Sequence, residues 1–253
     1  MLYELSEGIS IVAGYPGLLL TKHDSLVIAD IHLGFESAIS ESGVYVPRKQ
    51  LTKIIEILDE LIEITKPARV IINGDLKHGF SRLLRQEREE IVKLIDFLRS
   101  KGVSEVIVVR GNHDNYVSLV LRDLGVNLVD KLIIDEIMIT HGHEFFDPRK
   151  YDVKTIIIGH EHPSISLRDE LGIPYKFQCF LKGKLITNHE IIVLAHMSIY
   201  ASGNSVTLDR EAYLSPIVKK YGLIEYFKPY IIDKEVGVLE LPVLKDLVMM
   251  YSF

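Results

Sequence analysis

Five short runs of aliphatic and β-branched residues in this chain each end directly before side chains that can bind a metal ion. Each run has the length and composition of a buried strand. The runs and the residues after them are 25–29 before Asp30 and His32, 69–73 before Gly74 and Asp75, 106–110 before Gly111 to Asp114, 137–140 before His141 and His143, and 155–158 before Gly159 to His162. Because parallel strands end at one edge of a sheet, we predict that these side chains form a single site.

The segments between the first three runs have the spacing of amphipathic helices. Apolar residues recur at helical intervals over 49–64 and again over 83–99, and Gly102 is placed to end the second helix. An alternation of strand and helix is typical of a parallel sheet. The first half of the chain is therefore predicted to be such a sheet, with its functional residues on the loops after the strands.

The pattern changes after about residue 124, where short strands follow one another without room for helices. These predicted strands are 127–129, 132–134, 137–139, 175–180, 184–186 and 191–194. Two sheets packed face to face with helices outside would accommodate both halves. We therefore predict the α/β (α+β) class and a four-layer αββα sandwich of two mixed sheets flanked by helices.

The remaining segments complete this architecture. We predict a hairpin of 9–13 and 17–21, a helix over 211–227, and an edge strand over 236–241 before a terminal helix that Pro242 opens. No linker or repeat divides the chain. We expect one domain over 1–253, with the metal-binding motifs in 25–165 and the strands and helices of 166–253 completing the second sheet.

Composition narrows the class of protein. The formal charge of −6 argues against a protein that binds a nucleic-acid backbone over its whole surface. A local basic rim is still compatible with this charge. Cys179 is the only cysteine, which excludes a disulfide framework and a cysteine-rich zinc site. No run approaches the roughly 18 apolar residues of a membrane span, and the first residues lack a leader pattern. We expect a soluble, cytoplasmic protein without a membrane partner.

The first two motifs are ambiguous when each is taken alone. Asp30 and His32 can jointly bind one cation at a strand end, but they can also be a turn aspartate beside a surface histidine. Asp75 can be a ligand or can cap the helix that follows it. Their position after buried strands is what favours a functional role.

The motifs at 111–114 and 159–162 are more specific. The neutral amide oxygen of Asn112 can bind a cation without adding charge, although a capped turn is the alternative. His113 can then face a substrate, with Asp114 holding its tautomer. The imidazoles of His160 and His162 directly follow β-branched residues, where they suit neither a core nor a surface. Because all five motifs follow the same strand signal, we interpret them as one metal centre.

The order of these motifs resembles that of the calcineurin-like metallophosphoesterase superfamily over about residues 25–165. The resemblance implies two metal sites that share Asp75. The first would be formed by Asp30, His32, Asp75 and His162, and the second by Asp75, Asn112, His141 and His160. It further implies that His113 stabilises or protonates the leaving oxygen and that Asp114 orients His113.

Two histidines compete for one position in this scheme. His141 is the first residue after its strand and matches the His-Gly form of the family, so we expect it to be the ligand. His143 would then contact the phosphate.

The resemblance implies a metal-dependent hydrolysis of phosphoric esters. Two divalent cations about 3.5 to 4 Å apart would share a water, and the bridging hydroxide would attack phosphorus in line. No phosphorylated protein intermediate is expected. The mixed oxygen and nitrogen ligands suit manganese, iron, zinc or nickel, and we expect manganese.

A closer similarity narrows the expected substrate. The segments 30–36, 43–47, 74–78, 159–163 and 177–180 resemble metallophosphoesterases associated with DNA ligase in bacteria and their archaeal relatives, which implies a phosphodiesterase with nuclease activity on single-stranded DNA or nucleotides. The form of the motif at 74–78 is similar to that of double-strand-break repair nucleases and implies that His78 lies beside the substrate. Segment 195–204 departs from the bacterial pattern, which has a proline, a phenylalanine and paired glycines there.

Basic residues near the motif loops are candidates for phosphate binding. Of these, we assign only Arg149 to substrate binding. The other basic residues near the loops are Lys77, Arg82, Arg85, Arg110 and Lys150. A phosphomonoesterase or nucleotide pyrophosphatase is the alternative enzyme, and a binding module without catalysis is the alternative outside enzymology.

Overall fold

A computed structural model of the protein describes residues 1–168 and 171–251. In this part of the chain, seven strands form a first sheet whose spatial order is the order of the sequence. The strands are β1 (Leu2–Ser6), β2 (Ile9–Val12), β3 (Leu18–Leu20), β4 (Ser25–Ile28), β5 (Arg69–Asn73), β6 (Glu105–Val109) and β7 (Asn127–Val129). The predicted hairpin corresponds to β2 and β3, and β4, β5 and β6 pair in parallel as predicted. Strand β7, which the sequence grouped with the short strands of the second half, pairs in parallel with β6 and so belongs to the first sheet.

Nine strands form the second sheet. They are β8 (Leu132–Ile134), β9 (Ile137–Ile139), β10 (Thr155–Ile158), β11 (Pro163–Arg168), β12 (Pro174–Lys184), β13 (Glu190–Val193), β14 (Asn204–Ser205), β15 (Lys228–Asp233) and β16 (Gly237–Glu240). Their order is β14-β11-β12-β13-β10-β9-β8, and β15 joins β12 and carries β16. Within it β10 pairs in parallel with both β9 and β13.

Six α-helices accompany these sheets in the described residues. They are α1 (Phe35–Ser40), α2 (Gln50–Thr65), α3 (Arg85–Ser100), α4 (Ser118–Asp123), α5 (Pro216–Tyr221) and α6 (Leu244–Tyr251). The two long helices, α2 and α3, lie where the helical spacing of apolar residues predicts them. Gly102, with φ of +87°, follows α3 in the left-handed conformation that ends a helix.

The alternation of side chains along the strands produces the four layers. In β4, Leu26 and Ile28 pack with α2 and α3, whereas Val27 faces the layer between the sheets. That middle layer includes Phe180 and Ile192 from the second sheet, and the outer face of the second sheet packs against α5 and α6. The αββα sandwich predicted from the sequence is confirmed.

Two segments differ from the prediction. The helix predicted over 211–227 is only the six residues of α5, which Pro216 opens after the Ser215 cap and Gly222 closes. The strand predicted at 184–186 is wrong, since the single long strand β12 ends at Lys184. In both cases, apolar side chains are buried by neighbours distant in sequence, which a local pattern does not reveal.

The candidate residues lie at one edge of this architecture. The loops that carry them follow β4, β5 and β6 in the first sheet and β9 and β10 in the second. A parallel bridge between Ala29 and His196 joins the two sheets at the same edge, and the Asp30 carboxylate accepts hydrogen bonds from the His160 amide at 3.2 Å. The motifs from both halves of the sequence therefore meet.

Candidate metal centre

Five of the predicted ligands have a left-handed backbone, which is uncommon for residues other than glycine. The φ angles are +58° at Asp30, +53° at His32, +52° at Asp75, +67° at His160 and +46° at His162. Each such residue costs about 1–3 kcal/mol unless its surroundings hold it, and strain of this kind is typical of functional sites. At two of these residues, backbone hydrogen bonds hold the conformation. The amide of Asp30 donates to the main-chain carbonyl of Gly74, and the amide of His32 donates to the main-chain carbonyl of Asp75.

The first cluster of side chains consists of Asp30, His32, Asp75 and His162, with one donor atom of each within 4.8 Å of the others. The Nε2 atom of His162 lies 3.2 Å from Oδ1 of Asp30 and 3.4 Å from Nε2 of His32. The Nε2 atom of His32 is also 3.7 Å from Oδ2 of Asp75. These donors converge on one point, as a cation site requires.

The second cluster consists of Asp75, His141 and His160, again with donor atoms within 4.8 Å of one another. The Nε2 atom of His141 lies 3.4 Å from Oδ2 of Asp75 and 3.2 Å from Oδ1 of Asn112. Asp75 belongs to both clusters, so its carboxylate lies between them. The seven predicted ligands are thus brought together in two groups that share one residue.

The protonation states of the metal-free site suit cation binding. Burial lowers the pKa of His32 to about 3 and that of His160 to about 4, so both imidazoles are neutral at neutral pH. Burial opposes the ionisation of Asp75, but the neighbouring histidines, His141 first, hold its pKa below the usual value. Neutral imidazoles, carboxylates and an amide oxygen are the donor set of a borderline divalent cation.

Two other histidines differ from His32 and His160, because neighbouring carboxylates raise their pKa values. Burial lowers the pKa of His162, but the Asp30 carboxylate outweighs this effect and raises it. Burial also lowers the pKa of His141, but the carboxylates of Asp75 and Asp30 outweigh this effect and raise the pKa to about 9. Its Nδ1 donates to the main-chain carbonyl of Asn73 at 3.0 Å, which leaves Nε2 directed at the cluster. A proton on Nε2 takes the place of positive charge that a bound cation would supply.

Two glycines are required for this geometry. Gly74 has φ of +84°, and a Cβ atom there would lie 2.2 Å from Nδ1 of His141. A Cβ atom on Gly111 would lie 2.2 Å from Oδ1 of Asp75. The glycine before each motif therefore allows another loop to approach the cluster.

Asp114 has a role in addition to the predicted one. Its buried carboxylate accepts hydrogen bonds from the amides of Asp75 at 2.9 Å, Leu76 at 2.9 Å and Gly111 at 2.8 Å. It therefore connects two metal-site loops. Pairing these amides matters because a buried amide without a partner is unfavourable. That Asp114 also orients His113 stays a prediction.

His113 is oriented by the loop after β5. Its Nδ1 atom lies against the main-chain carbonyl of His78, and the ring of Phe80 covers it with a centroid distance of 3.7 Å. The buried Lys77 side chain donates to the carbonyls of Gly79 and Arg82 and so fixes this loop. Nε2 of His113 lies 3.8 Å from Oδ2 of Asp75 and faces the cavity.

A cavity of about 460 Å³ opens beside the two clusters. Its polar lining includes His78, His113 and five of the predicted ligands, and its apolar lining includes Phe35, Tyr200 and Leu214. The five ligands are His32, Asp75, Asn112, His160 and His162. The Nδ1 atom of His78 lies 3.4 Å from Nδ1 of His32, so His78 adjoins the first cluster as well as the cavity. The arrangement can hold a phosphoryl group beside the clusters with an apolar surface next to it.

The remaining predicted residues lie outside this cavity in the described structure. His143 is near the second cluster, with its ring centroid 5.3 Å from that of His141. Arg149 is not brought to the cavity, because its guanidinium is paired with the Asp147 carboxylate at 2.7 Å on the surface. Its sequence position next to a motif loop gave no information about this local partner.

Supporting residues that a motif search misses lie directly behind the clusters. Glu161, between the two histidines, accepts hydrogen bonds from the amides of Leu214 and Ser215 and fixes that segment at the cavity. The ring of His196 stacks on that of His162 with a centroid distance of 5.2 Å. His196 comes shortly after strand β13. Its position after a strand, like that of the five motifs found from the sequence, is the signal that could have identified it.

Comparison with known proteins agrees with this geometry. The family model of the calcineurin-like phosphoesterases matches residues 25–227. The chain belongs to this family. The protein is accordingly a metal-dependent hydrolase of phosphoester bonds.

Solved structures with similar folds include two bacterial proteins. The nuclease MPE of Pseudomonas putida is 17% identical, with a TM-score of 0.67 over 95% of this chain and 99% of that chain. The phosphoesterase Yfce of E. coli is 16% identical, with a TM-score of 0.42 over 87% of this chain and 98% of that chain. A search of curated proteins gave no match. Among the described residues, no helix has the length and apolarity needed to cross a membrane.

Replacement of Gly111 by alanine tests the close approach of the loops. We expect Gly111→Ala to weaken manganese binding by about 10-fold or more, because the new methyl group displaces the Asp75 carboxylate, and disturbed metal sites lose affinity on this scale. Calorimetric titration of the metal-free protein measures the effect. Gly43→Ala is the control for a general loss of stability: its φ of +85° makes the alanine strained, but nothing lies within 4 Å of a Cβ atom there, so metal affinity should be kept. Unchanged metal affinity in Gly111→Ala would contradict the geometry.

Metal binding should also release a proton. Because the pKa of His141 is raised to about 9, this residue is protonated at pH 7 in the metal-free protein, and a cation at Nε2 must displace the proton. We expect release of at least about one proton at pH 7, because the pKa of His162 is raised as well, and an affinity that rises with pH until about pH 9. Titration in two buffers of different ionisation enthalpy measures the protons released. Equal heats in both buffers would exclude this linkage.

Proposed function

We propose that this member of the family is a binuclear metal-dependent phosphodiesterase, with manganese as the metal. The first metal ligands are Asp30, His32, Asp75 and His162, and the second are Asp75, Asn112, His141 and His160. The observation that carries the proposal is the position of the Asp75 carboxylate, whose Oδ2 atom lies 3.7 Å from Nε2 of His32 in the first group and 3.4 Å from Nε2 of His141 in the second.

The residues of the chain have separate roles in this proposal. When bound, the two cations supply a Lewis acid that activates water and neutralises charge at phosphorus. His113 is proposed to give its Nε2 proton to the leaving oxygen, while its Nδ1 hydrogen bond to the His78 carbonyl fixes the ring. The imidazoles of His78 and His143 are proposed to contact the phosphate. Asp114 acts through Asp75 by holding its loop.

The shape of the cavity favours diesters over monoesters. A phosphate monoester needs only the polar residues of the cavity, whereas the apolar lining residues Phe35, Tyr200 and Leu214 can contact a second ester group. The complete set of proposed ligands argues against a binding module that has lost catalysis. A phosphomonoesterase or nucleotide pyrophosphatase remains the alternative enzyme, which substrate comparison decides.

Single-stranded DNA and nucleotides are our candidate substrates. The Pseudomonas putida protein of the same fold is described as a nuclease. The arginines near the motif loops are, however, paired with carboxylates: Arg82 with Glu41, Arg85 with Glu89, Arg110 with Asp130 and Arg149 with Asp147. We therefore propose that few phosphates besides the scissile one are bound through charge.

We also propose that residues 1–253 form one domain and that the protein acts in the cytoplasm. A hydrogen bond from the amide of Gly14 to the carbonyl of Gly237 at 3.0 Å ties the two ends of the chain together, which supports the first statement. The unpaired, buried Cys179 is compatible with the second, because reducing compartments keep cysteines free.

Turnover of model esters tests the proposed reaction. We expect manganese-loaded protein to hydrolyse bis-p-nitrophenyl phosphate faster than p-nitrophenyl phosphate, and to cleave single-stranded DNA. Release of p-nitrophenol and gel analysis of a labelled oligonucleotide are the measurements. A protein with bound metal that turned over neither the diester nor DNA would not be a phosphodiesterase, and a preference for the monoester would favour the alternative enzyme.

Replacement of His113 tests its role as the proton donor. We expect His113→Ala to retain metal but to slow DNA cleavage by roughly 10² to 10⁴-fold, the contribution of a general acid. The loss should be smaller for bis-p-nitrophenyl phosphate, because p-nitrophenolate leaves without a proton. His23→Ala, whose histidine pairs with Asp135 outside the cavity, is the control. Full activity of His113→Ala on DNA would refute the assignment.

A further inference from the structure

Two stacked aromatic rings form one wall of the cavity beside the proposed metal ligands. The rings of Phe35 and Tyr200 lie nearly parallel, at 16°, with their centroids 4.6 Å apart. Both line the cavity and both are only partly buried. Metal binding and proton transfer do not require these rings, so the wall needs a separate explanation.

The Tyr200 side of the wall is held firmly. Its hydroxyl donates to the Pro47 carbonyl at 3.0 Å. The buried side chain of Gln50 donates to the Ser198 hydroxyl at 2.8 Å and accepts from the Ile199 amide at 3.2 Å. The segment that departs most from the bacterial pattern of the family therefore presents a fixed ring to the cavity.

The Phe35 side is held by buried polar groups. The carboxylate of Glu36 accepts hydrogen bonds from the amides of Lys49 and Gln50, both at 2.8 Å. The carboxylate of Glu90 accepts one from the Gly34 amide at 2.8 Å. Helix α1, which begins with Phe35, is thus fixed to α2 and α3. A rigid wall loses little conformational entropy when a ligand binds to it.

The distance from the wall to the metal clusters has the scale of a nucleotide. One imidazole separates them: the ring centroid of His78 lies 4.9 Å from that of Phe35 and 5.3 Å from that of His32. In a nucleotide, a sugar similarly separates the planar base from the phosphate. A third ring can extend the existing stack while the phosphate lies beside the clusters.

We propose that Phe35 and Tyr200 form a subsite that stacks a nucleobase of the substrate next to the scissile phosphate. The proposal rests on the phosphodiesterase function above and adds its specificity-determining residues. Stacking on aromatic side chains tolerates any base, because every base has a flat face. It also supplies affinity that the paired arginines do not.

Two diesters with the same leaving group and the same charge test this subsite. One is the p-nitrophenyl ester of thymidine 5′-phosphate, and the other is methyl p-nitrophenyl phosphate. We expect the wild-type protein to have the higher kcat/KM for the nucleoside ester, mainly through a lower KM. In Tyr200→Leu and Phe35→Leu, the ratio of the two kcat/KM values should fall by roughly 10-fold or more, the scale of one base stacked on an aromatic ring.

Conservative variants separate stacking from simple packing. Tyr200→Phe and Tyr200→Trp keep a ring at this position and should keep the preference for the nucleoside ester. They also serve as the test if the leucine variants fail to fold. Tyr226→Leu removes a half-exposed tyrosine that does not line the cavity and is the control. A preference lost equally in the phenylalanine, tryptophan and leucine variants would overturn the subsite.

The outcomes for the two proposals differ. Wild-type protein that hydrolyses both esters without preferring the nucleoside ester would retain the phosphodiesterase function and overturn the subsite. If neither ester were hydrolysed by metal-loaded protein, the proposed function would fail. In that case, calorimetry would measure the affinity of the protein for thymidine 5′-monophosphate as a test of the stacking subsite. Equal Kd values for wild type and Tyr200→Leu would overturn the subsite.

Discussion

The buried carboxylate of Asp114 is the contact on which the metal centre depends. It accepts hydrogen bonds from amides on the loop after β5 and from Gly111 on the loop after β6, so it fixes the two loops that carry Asp75 and Asn112. Burial and the nearby Asp75 raise its pKa to about 6, and the hydrogen bonds from backbone amides act in the opposite direction by stabilising the carboxylate. The Asp75 side chain is also held directly, because its carboxylate accepts a hydrogen bond from the His113 amide at 3.0 Å.

The metal centre holds negative charge and strained backbone that a bound cation would help to stabilise. Two carboxylates, Asp30 and Asp75, lie in the interior, and each raises the pKa of the neighbouring His141. In the metal-free protein, a proton on His141 offsets part of this negative charge, so proton and metal compete for the same nitrogen. The left-handed backbone at the ligands is held differently. Hydrogen bonds between loops stabilise conformations that would be unfavourable in isolation.

The sequence predicts the metal clusters better than it predicts their surroundings. Ligands directly after strands are recognisable because strand signals and residue types are local, and the two packed sheets then bring Asp75, after β5, and His162, after β10, to one edge. The hydrogen-bond partners of Asp114 could not be predicted, because they are backbone amides, which no residue type reveals. Helix α1 was missed because its six residues are held by the distant carboxylate of Glu90. Tyr200 could not be placed, since its contact with Pro47 spans most of the chain.

The surface charges imply how such a protein can select a substrate. Its formal charge is −6, and arginines next to the site are already paired, so long-range attraction of a polyanion is weak. Binding must then come from contacts at the site itself, where cations neutralise one phosphate and the Phe35 and Tyr200 rings offer an uncharged surface. Affinity that arises in this way depends little on salt, because few counterions are released from the ligand. The proposed stacking subsite therefore favours short or single-stranded substrates, whose bases are free to stack, over a continuous duplex backbone.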